Sequence, residues 1–144
     1  WFVDLEDKPI NTFHFAHQYS EKYNWDSYSL NSSWDLYGGG GLASNTNDLA
    51  IFFQLLFEGK IIKDKNVLKN LYAYVLPKEK SNYCLGLRNI SFFGDTAYYH
   101  GGFWGTDVMY LPKYNTTISV FTLQKEKRGI NEQISNQIIQ ILKK

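Results

Sequence analysis

The clearest periodic signal in the chain follows Asn45. Leu49, Phe52, Phe53 and Leu56 fall at i, i+3, i+4 and i+7, which is one apolar face of an α-helix. Asn45 can cap that helix, Asp48 can reach back to it in capping-box fashion, and Gly59 stops it. A shorter helix is predicted over Asn66–Tyr72, with Val67, Leu68 and Leu71 inward. From Tyr83 the period changes to two. Tyr83–Ile90 reads as a strand, Gly94-Asp95 as a turn, and Thr96–Gly102 as a second strand. Thr106–Leu111 and Thr117–Gln124 follow, separated by Pro112-Lys113-Tyr114-Asn115. Short turns between consecutive strands imply an antiparallel meander. A closing helix from about Asn131 carries Ile134, Ile138, Ile141 and Leu142 as a stripe that needs a sheet to cover.

The first third has no clean period. Phe2, Val3, Phe13, Phe15 and Tyr19 sit among polar residues, with a turn expected at Asp7-Lys8-Pro9. Tyr19–Tyr37 reads as an ordered loop pinned by Trp25 and Trp34. Gly38-Gly39-Gly40-Gly41 then reads as a tight structural turn. A phosphate-binding loop would need a strong strand before it and a Gly-Lys-Ser/Thr ending after it, and neither is present. The expected fold is α/β in the α+β sense. An antiparallel sheet of three or four strands is backed by the C-terminal helix, with one or two helices at the Gly-rich end, and residues 1–144 hold no internal domain boundary.

Composition narrows the function classes. The chain is 44% hydrophobic and 20% charged, the balance of a globular protein. Its net charge of +1 comes from interspersed signs, so no basic stripe is available to a nucleic acid. Lys143-Lys144 reads as a solvated helix end, which cations favour. Cys84 is the only cysteine, which excludes an internal disulfide and a zinc site built on paired cysteines. Within Tyr83-Cys84-Leu85 it reads as a small buried hydrophobe. His14 and His17 miss the i, i+4 helical spacing and have no accompanying carboxylate motif. They read as surface or core histidines rather than metal ligands. No cofactor is implied. No apolar stretch approaches a bilayer span. The opening Trp1-Phe2-Val3-Asp4 has neither an initiating Met nor a basic leader, so the chain reads as cut from something longer.

Two stretches together resemble the serine beta-lactamase and penicillin-binding superfamily, in particular its beta-lactamase-related esterases and D-peptidase-like members. The first is Gly40-Gly41-Leu42-Ala43-Ser44-Asn45-Thr46-Asn47-Asp48-Leu49-Ala50, which is similar to the family's Gly-Gly-Leu turn into a helix. The second is Tyr99-His100-Gly101-Gly102, then Gly105 and the strand end at Met109–Pro112, which resembles the family's His-x-Gly strand and its successors. Phe15-Ala16-His17 with Tyr19 is similar to the short strand upstream. The resemblance covers most of the chain and makes it the C-terminal portion of one such domain.

In that family an activated serine attacks an ester, amide or lactam carbonyl, and water releases the acyl-enzyme. The resemblance makes His100 the polar residue of the cleft wall and Gly102 the position that lets substrate lie close. Phe103 N–H becomes the oxyanion donor. A histidine suits the wall because its ordinary pKa lies near neutrality. Gly101 stands where many relatives have Thr or Ser, which weakens a penicillin-specific reading and favours an ester or short peptide. Trp104 beside the motif either lines a pocket or packs. The nucleophile itself is missing: no Ser has Lys three residues later, and Tyr28-Ser29-Leu30-Asn31 is one residue too long for the family's Tyr-x-Asn.

The implied partners are a small-molecule or peptide acyl substrate and either the missing N-terminal half of the domain or a second chain at an uncovered sheet edge. Export to the periplasm or outside the cell follows from the resemblance only. The competing reading is a non-catalytic, aromatic-rich module binding a sugar or protein, since 17% of the residues are aromatic. A pseudoenzyme half-domain is a third.

Overall fold

The structure is a computed structural model and describes residues 16–29, 40, 42–77 and 80–144. The turn at Asp7-Lys8-Pro9, the aromatic residues Phe2, Phe13 and Phe15, His14, the Trp34 anchor and most of the Gly38–Gly41 turn lie outside the described residues.

Helix α1 spans Thr46–Phe57. Asn45 is extended and caps it, its side-chain oxygen accepting the Asp48 N–H at 2.8 Å while its Nδ2 donates to Asp48 Oδ2. Gly59, at φ +70°, takes the chain out of the helix. Helix α2 spans Lys65–Leu71 and is capped by Asp64, which accepts the Asn66 N–H at 2.8 Å. Leu68 is buried, but Val67 is 51% exposed, because only one of two successive helical positions can face the sheet.

A short hairpin pairs β1 (Tyr19–Ser20) with β2 (Trp25–Asp26). The main sheet is antiparallel, in the order β3 (Arg88–Phe92), β4 (Asp95–Gly101), β5 (Thr106–Leu111), β6 (Thr116–Phe121). Strand β3 starts at Arg88 rather than at Tyr83. Ahead of it the chain folds back on itself, with Cys84 N–H donating to Leu87 O at 2.7 Å and Gly86 at φ +78°. That reversal buries both Cys84 and Leu87. Strands β3 and β4 are joined by Phe93 and Gly94, both at positive φ, one residue earlier than the expected Gly94-Asp95 turn.

Each face of the sheet is covered differently. On one face Tyr98, Val108 and Tyr110 pack against Phe53 and Leu56 of α1 and Leu68 of α2. The Phe57 ring lies parallel to Tyr110 at 4.4 Å and to Tyr98 at 5.0 Å. On the other face Ala97, Met109, Leu111 and Ile118 pack against Ile139 of helix α3 (Gly129–Leu142). The inward positions of α3 are Asn131, Ser135 and Ile139, at i, i+4 and i+8. Of the expected stripe, Ile138 packs at the margin while Ile134 and Ile141 are 38% and 68% exposed. The helix is rotated because its first turn meets a polar cluster on β5, which an apolar stripe could not satisfy.

Asp95 ties the strand end to the elements that follow it. It accepts from Lys113 Nζ at 2.9 Å and Tyr114 Oη at 2.8 Å, and Lys143 Nζ lies 3.4 Å away. The bond from Lys113, then that from Tyr114, lowers its pKa from 3.8 to about 2. A depressed carboxylate stabilises the fold above its ordinary pKa, and that contribution is lost as pH falls through about 2. Asp95→Asn should therefore reduce the urea midpoint at neutral pH, with the gap from the parent chain closing as pH falls from about 4 to 2. A gap that stays constant across that range would exclude an ionic origin.

Candidate functional site

The candidate residues sit at the end of β4. On the β3 side the last pair is Arg88↔Tyr99, whereas on the β5 side pairing continues to Gly101↔Asp107. Strand β4 is thus flanked by β3 over Asp95–Tyr99 and by β5 over Tyr98–Gly101, and among the described residues its β3 side is open at His100 and Gly101. Gly102 N–H donates to Thr106 O at 2.7 Å, so even-numbered residues of β4 bond to β5. The main-chain groups of Gly101 accordingly point to the open side. His100 is exposed and shares the face of its cross-strand neighbour Val108, the face that α1 and α2 cover further along. Phe103 and Trp104 form the turn into β5, with Phe103 43% exposed.

Packing inside the chain crowds the glycines here, against side-chain ends at Gly101 and Gly102 and against backbone at Gly105. A Cβ on Gly101 would overlap the Tyr99 hydroxyl and an Asp107 carboxylate oxygen, and would lie 2.6 Å from Arg128 Nη2. On Gly102 it would overlap Thr106 Oγ1. Gly105 is at φ +88°, and a Cβ there would run into the Thr122 carbonyl oxygen. The motif is therefore set by the β4–β5 turn as much as by any ligand that approaches it.

Beneath the turn lies a polar cluster that the sequence reading missed. Tyr99 Oη donates to Asp107 Oδ1 at 2.7 Å, and Arg128 Nη2 reaches the same oxygen at 3.2 Å. Asn131, which is buried, donates through Nδ2 to Asp107 Oδ2 at 2.8 Å and to Gly105 O at 3.0 Å. Its Oδ1 accepts from the Thr122 hydroxyl. Burial, followed by the Asp107 bond, pushes the Tyr99 phenol up to about 12. The available signal was Asp107, a carboxylate in an otherwise apolar strand, with Arg128 and Asn131 waiting at a helix start.

The β1–β2 hairpin packs beside the same turn. Trp25 stacks on Phe103 at 5.9 Å and meets Trp104 edge-on at 5.3 Å, while Lys125 Nζ sits 3.5 Å over the Phe103 ring. Trp25 is thus an anchor, and Trp104 packs against it. The hairpin is held to the end of the sheet by Tyr19 N–H to Leu123 O at 2.9 Å and by the Ser20 hydroxyl on Glu126. His17 Nδ1 lies 2.8 Å from Asp26 Oδ2 and the ring stacks on Tyr28 at 3.7 Å. The His17 bond, then the Tyr28 N–H, lowers the Asp26 pKa. Among the described residues no three His, Cys, Asp or Glu side chains gather as metal ligands would. No described helix is long and apolar enough to cross a membrane.

Comparison with protein-family models, curated proteins and solved structures gives no match. What the site offers chemically is an exposed imidazole able to hold or pass a proton. It stands at a strand end where, among the described residues, the main-chain groups of Gly101 have no β3 partner.

Proposed function

We propose that this chain forms the His-x-Gly wall of a beta-lactamase-like serine hydrolase acting on an ester, amide or lactam. The nucleophile comes from residues outside these 144. The carrying observation is the end of β4: His100 is exposed on a strand, and Gly101 extends past the last β3 pair, where a carbonyl could lie along the backbone. In this reading the His100 imidazole passes a proton near the serine, and Phe103 N–H receives the developing oxyanion. Trp25, Phe103 and Trp104 flank the acyl site.

The aromatic cluster with Lys125 is what favours the second reading, a binding module for a sugar or protein. The two separate in solution. The purified 144-residue chain should not turn over nitrocefin or p-nitrophenyl esters. In a longer protein that includes it, hydrolysis should appear, and His100→Ala should lower kcat with KM largely kept. Robust turnover by the isolated chain, or an unchanged kcat in His100→Ala, would refute the cleft-wall assignment. Retention of a glycan or protein ligand by the isolated chain would favour the module.

A further inference from the structure

The free edge of the sheet has an unusual symmetry. Thr122 N–H donates to Gly105 O at 2.9 Å, in register with the β5–β6 ladder. Even-numbered residues of β6 therefore bond to β5, and the main-chain groups of Thr117, Ser119 and Phe121 point outward. Among the described residues nothing pairs with them. The open stretch is bounded on both sides. Tyr19 N–H occupies Leu123 O beyond one end, and Asn115 at φ +46° turns the chain away at the other. The window runs over residues 117–121, and Ser119 is its centre.

We propose that β6 pairs with β6 of a second copy of this chain, antiparallel about a two-fold axis at Ser119. In that register Thr117 lies opposite Phe121 of the partner and Ser119 opposite itself, so the two windows overlap along their full length. A register shifted toward Leu123, or a longer strand, would run into Tyr19, and one shifted the other way would lose its pairs where Asn115 turns the chain away. Thr116–Phe121 has no charge, proline or glycine, the features by which edges usually prevent such pairing, and no like charges meet across the axis.

The side chains agree with the backbone. Ser119 Oγ is buried with no hydrogen-bond partner. Across an antiparallel pair it would face the same hydroxyl of the second copy, which gives both a partner. A groove of ≈ 390 Å³ runs along this edge, bordered by Thr46, Asn47 and Ala50 on one side and Ile138 on the other. Helix α3 packs over β6, and its exposed Ile134 and Ile141 lie on the helix that would neighbour its own copy across the axis. The pairing stands independently of the hydrolase reading, because it uses none of the residues at the end of β4.

Size-exclusion chromatography with light scattering should show a dimer of twice the 16.8 kDa chain mass. Under mild oxidation Ser119→Cys should cross-link to a disulfide dimer, since facing residues in such a pair stand about 5.5 Å apart at Cα. Thr117→Cys should not, because its two copies would be ~13 Å apart along the strands. Cys84 is buried and serves as an internal control. Ser119→Pro removes the outward N–H and the hydroxyl at the axis, and Thr117→Lys adds an edge charge. Each should give a monomer with its far-UV circular dichroism retained. A monomer at every concentration overturns the proposal, as do open-ended oligomers, equal cross-linking at both positions, or a dimer that survives both edge substitutions.

Discussion

Gly105→Ala is expected to lower the unfolding free energy by about 3 kcal/mol or more. Two costs combine at this position. The backbone sits at φ +88°, where any side chain is strained, and the new Cβ would enter the Thr122 carbonyl oxygen. Relief requires β5 and β6 to separate at their ends, which stretches the Thr122 N–H bond to Gly105 O and the Asn131 bond to the same carbonyl. Urea denaturation should show a lower midpoint with an unchanged slope, since the surface exposed on unfolding is the same. A loss below about 1 kcal/mol would mean that the turn relaxes without disturbing Thr122.

The second large effect concerns the position where the resembled family often carries a hydroxyl. Gly101→Thr should cost ~2–4 kcal/mol, the range for overfilling a packed site and breaking its polar contacts. The space a threonine needs is already held by the Tyr99 hydroxyl, Asp107 and Arg128. The variant also has a spectroscopic signature. Tyr99 is held at about 12 by burial and by donating to Asp107, so displacing it should move its ionisation back toward 10. The chain has 11 tyrosines, so the change is read as the difference in phenolate absorbance between the variant and the parent chain on alkaline titration, with Tyr99→Phe assigning the group. A stable variant with Tyr99 still ionising near 12 would show that the cluster does not fill that space.

Local chemistry made some of this fold legible. The Asn45 cap, most of the α1 face (Leu49, Phe53 and Leu56 pack inward, whereas Phe52 is 51% exposed) and the span of β5 follow from side chains that act on their own neighbours. Element ends depending on longer-range events were harder to place. Tyr83 alternates like a strand residue, yet Cys84–Leu87 turns back because burying Cys84 and Leu87 outweighs extending the ladder. In α3 the isoleucines suggest a stripe, but Asn131 has obligations to Asp107 and Gly105 that set the rotation of the helix. For the candidate site, His-Gly-Gly was visible as a pattern. The pattern could not reveal that β3 pairing stops at Tyr99 while β5 pairing runs on to Gly101, or that the glycines of this turn face Tyr99, Thr106 and Thr122. The meander order was legible from the short turns; the stagger of the strands and the side chains that meet across them depend on contacts distant in sequence.

Phe93 begins a reversal that asparagine or glycine would adopt readily and that an aromatic residue resists. The loop between β3 and β4 is thus a poor nucleus, and its backbone carbonyl is gripped by Lys143 Nζ at 2.8 Å from the far end of the chain. Arrival of the last helical turn helps to hold that bend, which couples the closing of this corner to the docking of residues fifty positions downstream. Such a corner should knit late and open early, while the ring stack around Phe57 holds the opposite face together.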